Sequence, residues 1–222
     1  MNVERAAGKE NAVQLALEKI ALAGSLYVPA GAQGLVIFAH GSGSSRLSPR
    51  NIFVARQLQK ANIGTLLFDL LTPAEEAVDD RTGELRFNIS FLAGRLMEAT
   101  DWLKGKPEAR GLKLGYFGAS TGAGAALVAA AEKGKQISAV VSRGGRPDMA
   151  ESFLAKVRAP TLLIVGGDDF QVIDLNRRAL ARLHSEKKLV IIPGATHLFE
   201  EPGALEQVAQ LASAWFGDHF KP

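Results

Sequence analysis

The feature that most constrains this chain is a repeated alternation. Short, mostly apolar runs recur along it, and most are followed by a stretch with helical spacing. Leu35-Val36-Ile37-Phe38-Ala39 has no polar position, and residues 63–71, 112–117, 137–141, 161–165 and 189–192 are mostly apolar and also read as strands. A strand with one wet face alternates polar and apolar residues, whereas a strand apolar throughout is covered on both faces. Helical patterns occupy residues 51–61, 89–104, 121–133, 174–183 and 204–220. Strands alternating with helices imply an α/β domain whose mainly parallel central sheet carries helices on both faces. Residues 13–28 differ, alternating loosely, and read as one or two antiparallel strands. Residues 72–88 are polar and contain Pro73 and Gly83, so they read as a long loop and the one candidate for a partial lid. No insertion is long enough for a full cap, and the whole chain, 1–222, reads as one domain.

Composition removes several alternatives. Hydrophobic residues make up 47% and charged residues 22%, enough apolar material for a full core. The 26 basic and 23 acidic residues leave a net charge of +3, and no basic block stands out, so nucleic acid is not an expected partner. There is no cysteine, which excludes disulfides, thiolate metal sites and a thiol nucleophile. No apolar run reaches the roughly 18 residues a membrane span needs. The first ten residues are polar and charged, unlike a secretory signal, so a cytoplasmic protein is expected.

In a parallel sheet, sites form at the carboxyl ends of the strands. Gly118-Ala119-Ser120-Thr121-Gly122 stands there, between an apolar strand and a small-residue helix. It matches the pattern G-x-S-x-G, in which a sharp strand-to-helix turn lifts the serine hydroxyl above the sheet. The flanking glycines allow strand and helix to approach without a Cβ clash. The same turn aims the Thr121 N–H and the positive end of the helix at the place where an oxyanion would develop. Ser120 is therefore the candidate nucleophile.

A serine hydroxyl needs a base, and the base needs an orienting carboxylate. Of four histidines, His197 alone follows the serine and sits in a loop after the last strand, Pro193-Gly194-Ala195-Thr196-His197. His40 precedes the serine, His184 ends a helical pattern in a solvated or capping position, and His219 reads as a surface residue. Asp168 and Asp169, after the strand at 161–165, both qualify as the acid by position; Asp174 reads as the cap of the next helix. Asp69 breaks the serine–acid–histidine order and reads as structural or as a pocket wall. No second histidine stands at ligand spacing, so neither a metal nor another cofactor is called for.

With these residues in view, the chain resembles the dienelactone hydrolase-like branch of the α/β-hydrolase superfamily. The resemblance rests on His40-Gly-Ser-Gly-Ser-Ser-Arg46, Phe68-Asp-Leu-Leu-Thr72, Gly118-Ala-Ser-Thr-Gly122, Val165-Gly-Gly-Asp-Asp169-Phe-Gln-Val172 and Gly194-Ala-Thr-His197. It implies an α/β-hydrolase fold, places the acid on Asp169, and assigns the Ser42 N–H to the oxyanion hole beside that of Thr121. The chain departs from true dienelactone hydrolases, which use a cysteine nucleophile. The expected function is therefore a serine esterase acting through an acyl-enzyme on a small or accessible ester. Acyl transfer or thioester cleavage by the same triad is the near alternative, and a non-catalytic binding protein the distant one.

Arginines recur at strand ends and in loops, among them Arg46, Arg143 and Arg146. A guanidinium grips carboxylate or phosphate through paired hydrogen bonds, so these three are candidates for binding an anionic group on the substrate. The competing expectation is that the arginines brace loops against Asp69, Glu75, Glu76, Asp79, Asp80 and Asp148, or face solvent.

Overall fold

A computed structural model describes residues 10–221. Fourteen elements organise it: β1 (Asn11–Ala16), β2 (Ala21–Tyr27), β3 (Gly34–Ala39), α1 (Pro49–Lys60), β4 (Gly64–Phe68), α2 (Pro73–Thr82), α3 (Ile89–Lys104), β5 (Lys113–Ala119), α4 (Thr121–Lys133), β6 (Ile137–Arg143), β7 (Thr161–Gly166), α5 (Phe170–Arg182), β8 (Lys187–Ile192) and α6 (Ala204–His219). The eight strands form one sheet in the order β1-β2-β4-β3-β5-β6-β7-β8. β1 and β2 pair antiparallel, as do β2 and β4. From β4 onward every pairing is parallel. This is the α/β-hydrolase arrangement. Residues 13–28 thus form a hairpin at one edge.

The apolar runs of β3 to β7 are buried on both faces, whereas β8, at the edge of the sheet, is only partly buried. Every residue of β3 and of β4 is buried. In β5, Tyr116 packs into the core under α3 and α4, while Phe117 turns into the core under α1 and α6. α4 lies deepest. Thr121 to Ala130 are all buried, and their small side chains let the helix sit between the sheet and its neighbours. Among the described residues no helix is long and apolar enough to cross a membrane.

Three local expectations need correction. Residues 72–88 are not a bare loop, because α2 occupies ten of them. Thr72 caps that helix by accepting from the Glu75 N–H, and the Glu75 carboxylate accepts from the Thr72 N–H. This reciprocal cap overrides the low apolar content that made the segment read as loop. At its far end the buried Asp79 carboxylate accepts from the Leu85 and Arg86 N–H groups and pairs with the Arg86 guanidinium. Burial pushes Asp79 upward, yet the Arg86 and amide hydrogen bonds outweigh it and hold the carboxyl below its ordinary value. The segment is clamped, which argues against a loose lid.

Second, Asp174 is not a cap. α5 begins at Phe170 with Asp169 at its N-cap position, and Asp174 lies within the helix against Arg177. Third, His219 is not fully on the surface: its ring packs against Trp215 with centroids 4.5 Å apart, and its Nδ1 bonds the Trp215 carbonyl at 2.7 Å. An irregular 3-10 stretch, Pro147–Lys156, also connects β6 to β7 with no clear signal in the sequence.

Candidate active site

Ser120 directly follows β5 at φ 51° and ψ −121°, a region L-residues rarely occupy. It stands at the N-cap position of α4, where serine ordinarily bonds the helix amides, but its side chain makes no capping bond. The hydroxyl is thus left for another purpose. Both glycines of the motif are needed for the turn. A Cβ on Gly118 would come within 2.4 Å of the Ala123 Cα, and one on Gly122 within 2.2 Å of the Ala39 carbonyl oxygen. No real Cβ makes such contacts, so larger residues would force β5 and α4 apart.

His197 and Asp169 come from two loops joined by main-chain bonds. The Gly167 N–H donates to the Ile192 carbonyl at 2.8 Å, and the Asp168 N–H to the Ala195 carbonyl at 2.9 Å. Across this seam the His197 Nδ1 lies 2.6 Å from the Asp169 Oδ2. An ionised carboxylate only accepts, so the proton sits on Nδ1 and Nε2 is left as an acceptor. Asp168, the other candidate acid, is exposed.

Ser120 and His197 line one open cleft of about 210 Å³, together with Gly41, Ser42, Asn51 and Arg143. Thr121 is the first residue of α4, so its N–H is one that a helix leaves without an internal partner. The Ser42 N–H is already engaged: it donates to the Thr121 hydroxyl oxygen at 2.9 Å. That bond ties the loop after β3 to the nucleophile turn and holds the two amides near each other. His40, at the start of this loop, is fixed on both sides of its ring. Its Nε2 accepts from the Leu70 N–H at 3.0 Å, so its Nδ1 carries the proton and donates to the Gly41 carbonyl at 3.0 Å. Burial pulls its pKa below the ordinary value, outweighing the opposing effects of the Gly41 carbonyl, Asp69 and Glu76. His40 is a neutral structural histidine.

The three candidate arginines separate. The Arg46 guanidinium is paired with Asp69, whose other oxygen accepts from the Arg46 N–H. Arg146 grips Asp148 through two bonds of 2.9 and 2.7 Å, and this pair raises the Arg146 pKa. Neither lines the cleft that holds Ser120. Arg143 does. It is only 7% exposed, yet its Nε and Nη1 have no hydrogen-bond partner among the described residues. Burial, assisted by repulsion from Arg50, pulls it down to about 10. Asn51 and Ser48, also in the cleft, were not singled out by sequence. They occupy the cap and first turn of α1, and only the folding of the loop after β3 brings them beside the nucleophile. Among the described residues no group of three or more His, Asp or Glu side chains could hold a metal ion.

Comparison with known proteins agrees with this construction. The chain is 60% identical to a dienelactone hydrolase from Anabaena variabilis, with a TM-score of 0.95 over 96% of this chain and 99% of that one. Est1E of Butyrivibrio proteoclasticus shares the fold at 17% identity, with a TM-score of 0.79 over 94% of this chain and 98% of its own. A Mycobacterium tuberculosis protein provisionally named phosphoribosyl transferase is 56% identical over 95% of this chain. The chain spans only 47% of that relative's length. The model of the dienelactone hydrolase family matches residues 20–218. A strained serine turn, a neighbouring histidine–carboxylate pair and this family match converge, and the chain belongs to the dienelactone hydrolase family of α/β-hydrolases.

Proposed function

We propose that this chain is a serine hydrolase of small, accessible carboxylic esters, working through an acyl-enzyme on Ser120, His197 and Asp169. The observation that carries the reading is the uncommitted Ser120 hydroxyl in a strained turn, in one cleft with a histidine whose far nitrogen is held by a carboxylate. His197 Nε2 takes the Ser120 proton as Oγ attacks the ester carbonyl carbon. The Thr121 N–H stabilises the oxyanion, and the Ser42 N–H joins it by exchanging the Thr121 hydroxyl for the carbonyl oxygen. As the tetrahedral intermediate collapses, the C–O bond to the alcohol breaks and His197 returns the proton to the leaving oxygen. Water, deprotonated by His197, then cleaves the acyl-enzyme and frees Ser120. Asp169 keeps the imidazole in the required tautomer and stabilises its charged form. The scheme uses no cofactor.

The name of the mycobacterial relative belongs to a protein more than twice the matched length, and nothing in the cleft described above favours phosphoribosyl transfer over acyl transfer. Hydrolysis of short-chain p-nitrophenyl esters by the wild type and by Ser120→Ala tests the proposal. Turnover that vanishes in a correctly folded Ser120→Ala supports it, while equal rates exclude Ser120. Saturable ester binding without turnover in the wild type would favour the binding-protein alternative, and product transfer to added alcohols or thiols would favour acyl transfer.

A further inference from the structure

The loop after β6 meets both the serine and the histidine of the triad, although it carries neither. The Ser120 N–H donates to the Arg143 carbonyl at 3.2 Å, and the Arg146 N–H donates to the Ser120 carbonyl at 3.1 Å. The strained serine is thus held from both sides of its backbone. Gly144, at φ 52°, gives its N–H to the Ile164 carbonyl of β7 at 2.8 Å and turns its bare Cα toward His197. A Cβ there would lie 3.4 Å from both Nδ1 and Cε1 of the imidazole, so this backbone backs the ring with room for little more than a methyl group. A side chain remote from the cleft anchors the loop. Asn176, on α5, is fully buried, and its Nδ2 donates to the Gly145 carbonyl at 3.0 Å and to the Val172 carbonyl at 2.8 Å. Both partners only accept, so the NH2 end of the amide must face them. Its Oδ1 is buried with no partner among the described residues. An amide oxygen left unbonded inside a protein is costly, and leucine has the same branched skeleton without that cost. The amide is therefore retained for what its NH2 group holds.

We infer that Asn176 is a positioning residue for the acyl transfer. It ties the loop that clamps Ser120 and backs His197 to α5, the helix that has Asp169 at its N-cap. The bond to Val172 stays within the helix, whereas the bond to Gly145 spans 31 residues and joins two elements. The seam between the Gly167–Asp168 turn and Ile192 and Ala195 registers the acid loop against the base loop, but its bonds do not include Ser120. The loop after β6 supplies that link, and Asn176 sets its height above the sheet. Glycines at 144 and 145 leave the loop little stiffness of its own, so it relaxes when the tie is cut. Transfer of the Ser120 proton to His197 Nε2 tolerates little misplacement, and a shift of about 1 Å is enough to slow such a step by about a hundredfold. The inference rests on the esterase reading, because it assigns the work of Asn176 to that reaction.

Asn176→Leu cuts the tie, with Asn176→Ala in its place if the larger side chain does not fold. With p-nitrophenyl butyrate, well below the melting temperature, kcat should fall by about tenfold to a hundredfold while KM stays nearly unchanged. Inactivation by a fluorophosphonate reads attack by the Ser120 hydroxyl without ester turnover, and it should slow by a similar factor. Asn176→Gln, which keeps the NH2 group on a longer stem, should recover part of both rates. Ala179→Gly is the control for stability alone: Ala179 is buried on the same helix, and glycine weakens that helix without cutting the tie. It should lower Tm and leave kcat unchanged. A kcat in Asn176→Leu within about twofold of the wild type would overturn the inference. So would a loss matched by Ala179→Gly at an equal fall in Tm, or a rise in KM with kcat intact. In each of these cases the esterase reading stands, because the wild type is active. A wild type that neither turns over esters nor reacts with the fluorophosphonate would sink that reading, and the positioning role with it.

Discussion

Arg143 is buried and charged, and its Nε and Nη1 have no hydrogen-bond partner among the described residues, so the protein must be less stable for it. The perturbation is Arg143→Met, which keeps a long unbranched stem and removes the charge. In the folded protein burial pulls the guanidinium from its ordinary value down to about 10. Each tenfold change in a proton equilibrium is worth about 1.4 kcal/mol, so holding this charge in place costs roughly 3 kcal/mol. Methionine forfeits the contact with the Phe199 ring, worth about 0.5–1 kcal/mol. The net expectation is a gain of about 2 kcal/mol, in the range seen when buried charges give way to apolar side chains. For a chain of this size that raises Tm by roughly 4–8 °C. Thermal and urea melts without added anion measure it, with an unchanged urea m-value as the control. The cost is fully present below the folded pKa and fades only above about 10, so the gain should hold from about pH 6 to about pH 9. A variant that melts below the wild type at equal m would refute the reasoning, for it would mean Arg143 already has a compensating partner inside the protein.

Other replacements probe the remaining parts. Asp169→Asn removes the acceptor that holds the His197 Nδ1 proton; kcat should fall by about 10⁴-fold with little change in KM, measured with p-nitrophenyl esters. Gly122→Ala would drive a methyl onto the Ala39 carbonyl and should lower stability by about 3 kcal/mol or more, read as a fall in the urea midpoint. His40 is held neutral below its ordinary pKa of 6.5 by burial. The unfolded chain therefore binds the extra proton first, and stability present above pH 6.5 is lost as pH falls below it. His40→Gln, whose amide oxygen can accept from the Leu70 N–H, should flatten the decline of the urea midpoint between about pH 7 and about pH 5.

The sheet was legible because burial on both faces leaves no room for polar residues. Runs such as residues 35–39 announce themselves for that reason. The nucleophile turn was legible because its packing demands glycine at 118 and 122, and a demand on residue type is visible in a sequence. α2 was missed because a helix held by its cap and by the buried Asp79 carries little apolar periodicity, and Asp174 was misplaced because α5 starts one turn earlier, at Phe170. The arginines show the limit most clearly. Arg46, Arg143 and Arg146 look alike as letters, and only the fold separates two that meet Asp69 and Asp148 from one whose Nε and Nη1 have no hydrogen-bond partner among the described residues. Arg146 and Asp148 stand two residues apart, but Arg46 and Asp69 are 23 apart, and spacing along the sequence does not encode a pairing at that range.

The hydrogen bonds that join the Gly167–Asp168 turn to Ile192 and Ala195 have a consequence for how such a chain can diverge. The acid and the base ride on one stitched unit at the β7–β8 end of the sheet. The walls of the cleft come largely from elsewhere, from the loop after β3, the first turn of α1 and the tip of β6. Mutation can therefore reshape what enters the cleft without disturbing the proton-handling pair. A lineage built this way can explore new substrates through one half of its architecture while the other half preserves the reaction.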